Sequence, residues 1–177
     1  GPAICLRIVE KNIKPYLELG FPDFMKKKLM DLKQGLVLVV GPTGQGKSTT
    51  LASVLRERNI NKAEHLVTLE DPIEFVLESQ SGLIQQREIG RDVSSFEAGI
   101  RAAMREDPNV IMIGEIRDPE TMAAALVLSE TGHLVFGTLH THSSQHTISR
   151  ILDSMPAEQV PQVIAHLAQN LKMVIAQ

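Results

Sequence analysis

A run of five apolar residues, Leu36 to Val40, leads directly into the segment Gly41-Pro42-Thr43-Gly44-Gln45-Gly46-Lys47-Ser48. This junction constrains the fold more than any other part of the chain. The pattern G-x-x-x-x-G-K-[S/T], between a buried strand and a helix-forming stretch, is the one that wraps a phosphate group. Its glycines reach backbone conformations closed to other residues, so successive amide groups can converge on one phosphate. The sequence therefore predicts a nucleoside triphosphate as ligand.

The residue types of this loop indicate how the triphosphate would be held. Lys47 is expected to reach the outer phosphates, and the hydroxyl of Ser48 is expected to sit on Mg²⁺. A helix that begins near Lys47 would add the positive end of its dipole at the same point. We expect the nucleotide contacts to come from Gly41, Pro42, Thr43, Gly44, Gln45, Gly46, Lys47, Ser48 and Thr49.

Composition argues for an enzyme domain and against a nucleic-acid partner. The 177 residues carry a formal net charge of -3 and only 3% aromatic residues, so there is neither an overall basic field nor many rings for base stacking. The single cysteine, Cys5, excludes an intramolecular disulfide framework and a cysteine-rich zinc site. That cysteine usage suits a reducing cytoplasm.

Apolar strand-like runs alternate with helix-like stretches, which predicts an α/β fold with a mainly parallel sheet flanked by helices. We expect strands at 36–40, 65–70, 110–113 and 133–138, and a shorter one at 83–87. Residues 1–20 are interpreted as the remnant of an interdomain linker, with Gly1-Pro2 as a candidate tag scar. Residues 21–177 are interpreted as one domain, truncated at its carboxyl end.

The helix boundaries are predicted from capping patterns. The spacing of Ser94 and Glu97 fits a capping box that opens a helix to about residue 106. Asp118 followed by Pro119 opens another helix, which Gly132 ends. One helical face is predicted over the last stretch, and it holds Val160, Val163, Ile164, Leu167, Leu171, Val174 and Ile175.

Carboxylates follow two of the predicted strands at the sheet edge where ligands bind. Glu115 comes after the strand that ends at Ile113 and is the candidate general base or water-orienting residue. Its alternative role is a solvated partner of Arg117. Gly114 stands where such strands usually end in a metal-binding aspartate, so metal ligation falls on Ser48, on Glu115, or on the next cluster through water.

That cluster is formed by Glu70, Asp71 and Glu74. Three carboxylates facing a triphosphate would repel it unless Mg²⁺ or arginines intervene, so we expect them to handle metal-bound water. The alternative is a solvated turn.

Three histidines lie near the two ends of the predicted strand 133–138. His140 could sense a γ-phosphate by hydrogen bonding, although a lone histidine is often a structural residue. A zinc site of His133, His140 and His142 is conceivable, but no metal-ligand spacing with carboxylate or cysteine partners is evident. Surface charge is the default role of five arginines, of which one or two could complete a neighbouring subunit's site: Arg87, Arg91, Arg101, Arg105 and Arg117.

Four segments together resemble the secretion ATPase superfamily. Residues 41–50 match its Walker A motif, 68–75 its Asp box, 113–118 its Walker B motif and 131–141 its His box, in order and at family-like spacing. Within that superfamily, Gln85-Gln86-Arg87-Glu88-Ile89-Gly90 and Arg105-Glu106-Asp107-Pro108 resemble the type IV pilus retraction ATPases, the PilT family. The similarity covers residues 21–177.

The resemblance implies a RecA-like P-loop core, a homo-hexameric ring and ATP hydrolysis coupled to pilus retraction and twitching motility. It further implies a cytoplasmic location at the inner-membrane base of the pilus machine, with a platform protein as partner. It assigns Lys47 and Ser48 to ATP and Mg²⁺, and Glu115 to catalysis and metal. Glu74, with Glu70, falls to the metal and water network, and His140 to phosphate sensing.

Arg105 is implied as a contact to a neighbouring subunit's nucleotide, and His133 is the second candidate to act in trans. Two other functions remain open from the residues alone. A pilus-assembly or type II secretion ATPase would share all four motifs. A nucleotide-dependent switch would bind ATP without useful turnover.

Overall fold

Six strands form one sheet, and all of them run parallel. In the computed structural model, which describes residues 12–141 and 143–177, the strand order is β3-β2-β4-β5-β1-β6. The strands are β1 (Gly35–Val40), β2 (His65–Glu70), β3 (Leu83–Glu88), β4 (Val110–Ile113), β5 (Leu134–Leu139) and β6 (Leu171–Ala176). Strands β1, β4 and β5 are buried throughout. A strand covered on both faces needs mostly apolar side chains, which explains the near-continuous apolar runs of these strands, with Thr138 of β5 as the polar exception.

Helices cover both faces of this sheet. They are α1 (Asp23–Asp31), α2 (Lys47–Asn61), α3 (Phe96–Ala103), α4 (Pro119–Glu130), α5 (Ser144–Ser154) and α6 (Val160–Asn170). Leu29 of α1 and Leu55 of α2 pack on Val37 and Val39 in one core cluster. Helices α3 to α6 bury their apolar residues in a second cluster on the other face. Across the described residues, every helix is too short or too polar to pass through a bilayer. The predicted α/β fold with flanking helices is confirmed.

Residues 12–20 lie against α1 and α2. A 3-10 turn over Tyr16–Leu19 buries Tyr16, whose hydroxyl donates to the Lys26 carbonyl at 2.8 Å. Burial, with the charge of Glu57 acting in the same direction, raises the pKa of Tyr16 to about 12. The interpretation of residues 1–20 as a linker remnant stays a prediction, and Gly1-Pro2 and Cys5 lie outside the described residues.

The carboxyl-terminal stretch corrects a prediction. The helical face expected to run to Ile175 ends at Asn170, and residues 171–176 form the edge strand β6, paired in parallel with β1. Leu171, Val174 and Ile175 therefore belong to a strand. The physical reason is that β1 needs a partner on its outer side, and this stretch, apolar except for Lys172, supplies it.

The amino end of α3 gives a second, smaller correction. The N-cap is Ser95, whose hydroxyl accepts from the Ala98 amide at 3.1 Å, whereas Ser94 had been predicted. The helix also ends at Ala103, short of the predicted residue 106, and Asp107 beyond it has a positive φ of 49°. At α4 the prediction is confirmed, because Asp118 accepts from the Thr121 amide at 2.7 Å and Pro119 is the first helical residue.

Arg58 joins the last turn of α2 to the end of α1. Its side chain is fully buried, and its N–H groups reach the carbonyls of three residues: Leu29 at 2.8 Å, Met30 at 3.1 Å and Leu32 at 3.0 Å. The remaining two donors meet the Glu64 carboxylate at 2.9 and 2.6 Å. The guanidinium thus caps α1 and fixes α2 beside it.

Candidate active site

A cleft of about 340 Å³ lies at the carboxyl ends of β1, β2, β4 and β5. Its walls come from the phosphate loop, the segment after β2, the residues after β4, and Thr138 and His140 at the end of β5. Parallel strands bring these ends to one edge of the sheet, which is where open α/β folds bind ligands. The sequence-predicted residues of the phosphate loop, the acidic cluster, Glu115 and His140 therefore meet at one place.

The phosphate loop adopts a conformation that depends on its glycines. Gly44 and Gly46 have φ values of 82° and 91°, and Gly46 is the N-cap of α2. A side chain at either position would be strained by its backbone angle, although space around both is open. Six of the nine predicted loop residues line the cleft: Thr43, Gly44, Gly46, Lys47, Ser48 and Thr49.

Lys47 lies at the first position of α2 and is held by the loop itself. Its ammonium donates to the carbonyls of Gly41 at 2.8 Å and Pro42 at 2.9 Å. These two predicted loop residues therefore position the lysine rather than line the cleft. Burial lowers the pKa of Lys47, and the negative charges of Glu115 and Glu74 oppose that shift. Because burial disfavours the charged form of Lys47, an anionic ligand next to this ammonium is favoured.

The backbone on either side of Glu115 is fixed by the neighbouring strands. The Gly114 amide donates to the Leu69 carbonyl at 2.7 Å, and the Thr138 hydroxyl donates to the Gly114 carbonyl at 2.5 Å. A Cβ at Gly114 would lie 3.0 Å from that Leu69 carbonyl oxygen. This close approach of two backbones explains why glycine, and not an aspartate, precedes Glu115.

The carboxylate of Glu115 makes two contacts and lines the cleft. One oxygen accepts from Arg117 at 2.6 Å, and the other lies 3.2 Å from Nε2 of His140. The hydrogen bond from Arg117 is the largest cause of a lowered pKa at Glu115, and burial opposes it. The predicted pairing with Arg117 is therefore present, but the carboxylate is only 20% exposed and also faces the phosphate loop.

His140 bridges the two predicted charges of the site. Its Nδ1 lies 3.4 Å from the Lys47 ammonium, and its Nε2 lies 3.2 Å from Glu115. Because an ammonium only donates and a carboxylate only accepts, the bridge fits the tautomer with the proton on Nε2. A histidine in this place can respond to any group that draws Lys47 or Glu115 away.

Glu70 and Glu74 both line the cleft, in different environments. Glu70 is buried and accepts from the Thr68 hydroxyl at 2.6 Å and from the Gln86 amide at 3.0 Å. Burial raises the pKa of Glu70, while hydrogen bonds from Thr68, Gln86 and the Glu74 backbone oppose the rise. The charge of Glu74 acts on Lys47 across the cleft and raises the pKa of that lysine against the effect of burial.

The two candidate trans-acting residues lie away from the cleft. His133 precedes β5, and its Nδ1 is 3.1 Å from the Thr131 hydroxyl. Six strand residues separate it from the edge that carries His140, a distance of about 20 Å. Arg105 lies in the turn between α3 and β4, beside a shallow depression that Arg101 and Ser95 also line. Their roles across a subunit interface stay predictions.

Oxygen ligands for a magnesium ion face the cleft at Ser48, Glu74 and Glu115. Mg²⁺ prefers a few hard oxygen donors and keeps several waters, so this sparse set fits it. Within residues 12–141 and 143–177, no three histidine, cysteine or acidic side chains converge as a metal site. His142, the third histidine of the conceivable zinc site, lies outside the described residues.

Sequence reasoning assigned no physical role to Gln86 or Thr138. Gln86 belongs to a segment that served only as a mark of family resemblance, although its amide holds Glu70. Thr138 appeared only as the end of a strand, although it fixes the backbone of Gly114. A polar residue inside an apolar strand was the available signal for Thr138, whereas Gln86 lies among the polar residues of β3 and had no such signal.

The whole chain, residues 1–177, matches a family model described as type II/IV secretion system protein. The chain belongs to this family. It is 48% identical over all 177 residues to a Pseudomonas aeruginosa protein named type IV pilus retractation ATPase PilT, and covers 51% of that protein. It is 46% identical over 177 residues to a Neisseria gonorrhoeae twitching motility protein, and covers 47% of it.

A solved structure of this family has the same fold. The crystal structure of the pilus retraction motor PilT with bound ADP superposes with a TM-score of 0.93 at 48% identity, over 97% of this chain and 50% of the other. The present chain therefore spans about half the length of the relatives it matches. Family membership and the α/β fold of the resemblance are confirmed.

Proposed function

We propose that this chain is the catalytic half of an ATPase motor that retracts type IV pili. The observation that carries this proposal is the contact chain from Lys47 through His140 to Glu115, next to a loop shaped for phosphate. The names of both relatives, which refer to pilus retraction and twitching, support retraction over secretion or pilus assembly. Bound ADP in the similar PilT structure supports an adenine nucleotide as ligand.

The chain's own residues would share the work of hydrolysis. Backbone amides of the loop at 43–48 and the start of α2 would hold the phosphates, with Lys47 turning from the Gly41 and Pro42 carbonyls to the γ-phosphate. Magnesium, held by Ser48 and through water by Glu115 or Glu74, would neutralise phosphate charge. Glu115 would orient a water against the γ-phosphorus and accept its proton as the bond to ADP breaks.

His140 would report whether the γ-phosphate is present. In the structure it bridges Lys47 and Glu115. A γ-phosphate that draws Lys47 away would free Nδ1 while leaving the contact with Glu115. The exposed partner of Glu115, Arg117, can move without disturbing the core, since its side chain is 61% exposed.

The assembled form of the whole protein is part of the same proposal. We expect a homo-hexameric ring, cytoplasmic and peripheral at the inner-membrane base of the pilus, working on a platform protein. Arg105 and His133 would then serve a neighbouring subunit, since each lies away from the cleft of its own chain.

A turnover assay on the full-length protein tests the chemistry. Glu115→Gln should lower kcat at least about 100-fold while ADP affinity persists, because the carboxylate acts on water and not on nucleotide binding. Glu120→Gln, an exposed residue of α4, is the matched control. Full activity in Glu115→Gln would refute the assignment, and absent turnover in the wild-type protein would favour the nucleotide switch.

The retraction role is tested in the cell. A deletion of the gene should leave pili on the surface and abolish twitching, because retraction is lost and assembly is not. Loss of surface pili would instead show an assembly ATPase. Unchanged pili together with a secretion defect would show a type II secretion ATPase.

A further inference from the structure

The segment between β2 and β3 is irregular, yet side chains of β3 fasten it at alternate residues. The Ile73 amide donates to the Glu88 carboxylate at 3.1 Å. Two residues further, the Phe75 carbonyl accepts from the Gln86 amide at 2.8 Å. Two residues further again, the Leu77 amide donates to the Gln86 side-chain oxygen at 2.7 Å. Glu74 therefore lies between two fixed points of its own backbone.

Gln86 makes a third contact that reaches the acidic cluster directly. The same amide nitrogen that holds Phe75 also donates to Glu70 at 3.0 Å. Both protons of this nitrogen and the side-chain oxygen are thereby used. Glu70 in turn accepts a hydrogen bond from the Glu74 backbone. One carboxamide thus holds the segment after Glu74 and the carboxylate that holds Glu74 itself.

The sheet fixes where this carboxamide lies. Gln86 pairs with Thr68 in the parallel register of β3 and β2, so the two side chains lie on the same face. Gln86 is not among the residues that line the cleft. The cleft is lined by Glu70 and Phe75, which Gln86 contacts directly, and by Glu74, which precedes Phe75 in the chain. A residue in this position can act on the reaction only through the others.

We propose that Gln86 is a positioning residue for ATP hydrolysis, which sets the place of the Glu74 carboxylate in the cleft. The inference rests on the proposed function, because it needs a hydrolytic site at this edge. It extends that function by tying the acidic cluster to the edge strand β3. It also gives a physical role to the segment 85–90, which sequence comparison had marked only as family-like.

Gln85 provides the matched control. It is the preceding residue on the same strand, and its side chain points to the opposite face. Its oxygen lies 3.1 Å from Nε2 of His65 and 3.3 Å from Arg87, and it has no contact with the 71–77 segment among the bonds that the structure describes. Gln85→Met removes the same chemical group from the same strand while leaving the acidic cluster in place.

The test is steady-state ATPase kinetics of the full-length protein. Gln86→Met keeps the side-chain volume and removes all three hydrogen bonds, so kcat should fall about tenfold, as misplacement of a catalytic group by a fraction of an ångström does. KM for ATP and the affinity for ADP should stay within about threefold, because the phosphate loop is untouched. Gln85→Met should keep the wild-type kcat. Gln86→Glu keeps the acceptor for the Leu77 amide but loses both donors, so its kcat should also fall. This variant replaces Gln86→Met should the latter not fold.

A double variant separates positioning from general loosening. If Gln86 acts through Glu74, the pair Gln86→Met with Glu74→Gln should be no slower than Glu74→Gln alone. Multiplied losses in the pair, a wild-type kcat in folded Gln86→Met, or a wild-type kcat in Glu74→Gln would each overturn the inference. Glu115→Gln, measured in parallel, tells apart the two failures. If its turnover falls while that of Gln86→Met does not, the inference alone fails, and if its turnover is unchanged, the proposed site fails.

Discussion

Helix α2 carries a buried cation at each end, and the two ends differ in how the charge is balanced. Arg58, in the last turn, gives two of its five donors to the carboxylate of Glu64 and the rest to carbonyls at the end of α1. Lys47, in the first turn, gives its protons to two carbonyls and a histidine nitrogen. Among residues 12–141 and 143–177, a carboxylate therefore lies in direct contact with Arg58 but not with Lys47.

The helix dipole increases this difference. A cation in the last turn of a helix is stabilised by the negative end, and a cation in the first turn is opposed by the positive end. Lys47 thus combines burial and an unfavourable dipole with no anion in direct contact from the part of the chain that the structure describes. An unbalanced buried charge of this kind is expected at a functional site. A bound phosphate would balance the charge of Lys47 and is also favoured by the positive end of the helix. Arg58 has no comparable conflict and serves the fold.

The largest effect is expected on stability, from removing Arg58, the cation of α2 that is paired with a carboxylate. Arg58→Met should lower the free energy of unfolding by about 3 kcal/mol, because the Leu29 and Leu32 carbonyls lose this donor and the half-buried Glu64 carboxylate keeps only the more distant Lys62. Urea unfolding of the chain measures it. Arg56→Met, on the same helix, removes one long hydrogen bond of 3.4 Å to the Ile13 carbonyl and should lower the value by less than about 1 kcal/mol. A loss below about 1 kcal/mol in Arg58→Met would contradict the structural role.

Removing Lys47, the cation in the first turn of α2, should change nucleotide binding and not stability. Lys47→Met should weaken ADP binding roughly 100-fold, about 2.7 kcal/mol, with the free energy of unfolding unchanged or higher because a buried charge is removed. Isothermal titration calorimetry and urea unfolding give the two quantities. Lys62→Met, which removes a cation at the other end of α2, is the control and should bind ADP normally. Equal destabilisation by Lys47→Met and Arg58→Met would remove the distinction between the two ends.

The smallest effect is expected at the exposed partner of Glu115. Arg117→Ala should change the free energy of unfolding by less than about 0.5 kcal/mol, because a pair with an exposed arginine is screened by water. The pKa of Glu115 is lowered chiefly by Arg117, so the variant should raise it. Activity that needs the ionised carboxylate is lost as pH falls through this pKa, and the stabilisation from the pair is lost in the same direction.

The acid limb of the pH–rate profile should therefore move to higher pH in Arg117→Ala. Arg101→Ala, which removes the exposed i,i+4 pair with Glu97, is the control and should leave the limb in place. A shift to lower pH in Arg117→Ala would show that Arg117 does not set the ionisation of Glu115.

The strands and the phosphate loop could be predicted because each leaves a local mark. The apolar run before Gly41 and the glycines after it follow from burial and from backbone angles. Glu115 and His140 could be placed at one edge because parallel strands end there. Their contacts with Lys47 and Arg117 depend on side-chain geometry, which a strand boundary does not encode.

The carboxyl end shows why the remainder was missed. From Val160 onward, apolar residues recur at helical spacing into β6, and no glycine or proline marks the change at Asn170. The sequence of β6, Leu-Lys-Met-Val-Ile-Ala, also lacks the strict alternation of apolar and polar residues that would oppose the helical interpretation. Ser94 and Ser95 are adjacent residues of the same type, so the sequence alone does not decide which hydroxyl caps α3. Gln86 was missed because its three partners, which lie 9, 11 and 16 residues earlier in the chain, include two main-chain groups of an irregular segment that no sequence pattern marks.

The strand order has one consequence for the width of the reaction space. Val40 of β1 pairs with Leu139 of β5, and Ile113 of β4 pairs with Gly137 of the same strand. The lysine's loop and the glutamate's strand are therefore two inter-strand steps apart, about 10 Å. That distance is set by the main-chain hydrogen bonds between neighbouring strands and does not depend on which side chains line the cleft. Substitutions can change the charges that line this gap, but only a change in the strand order can change its width.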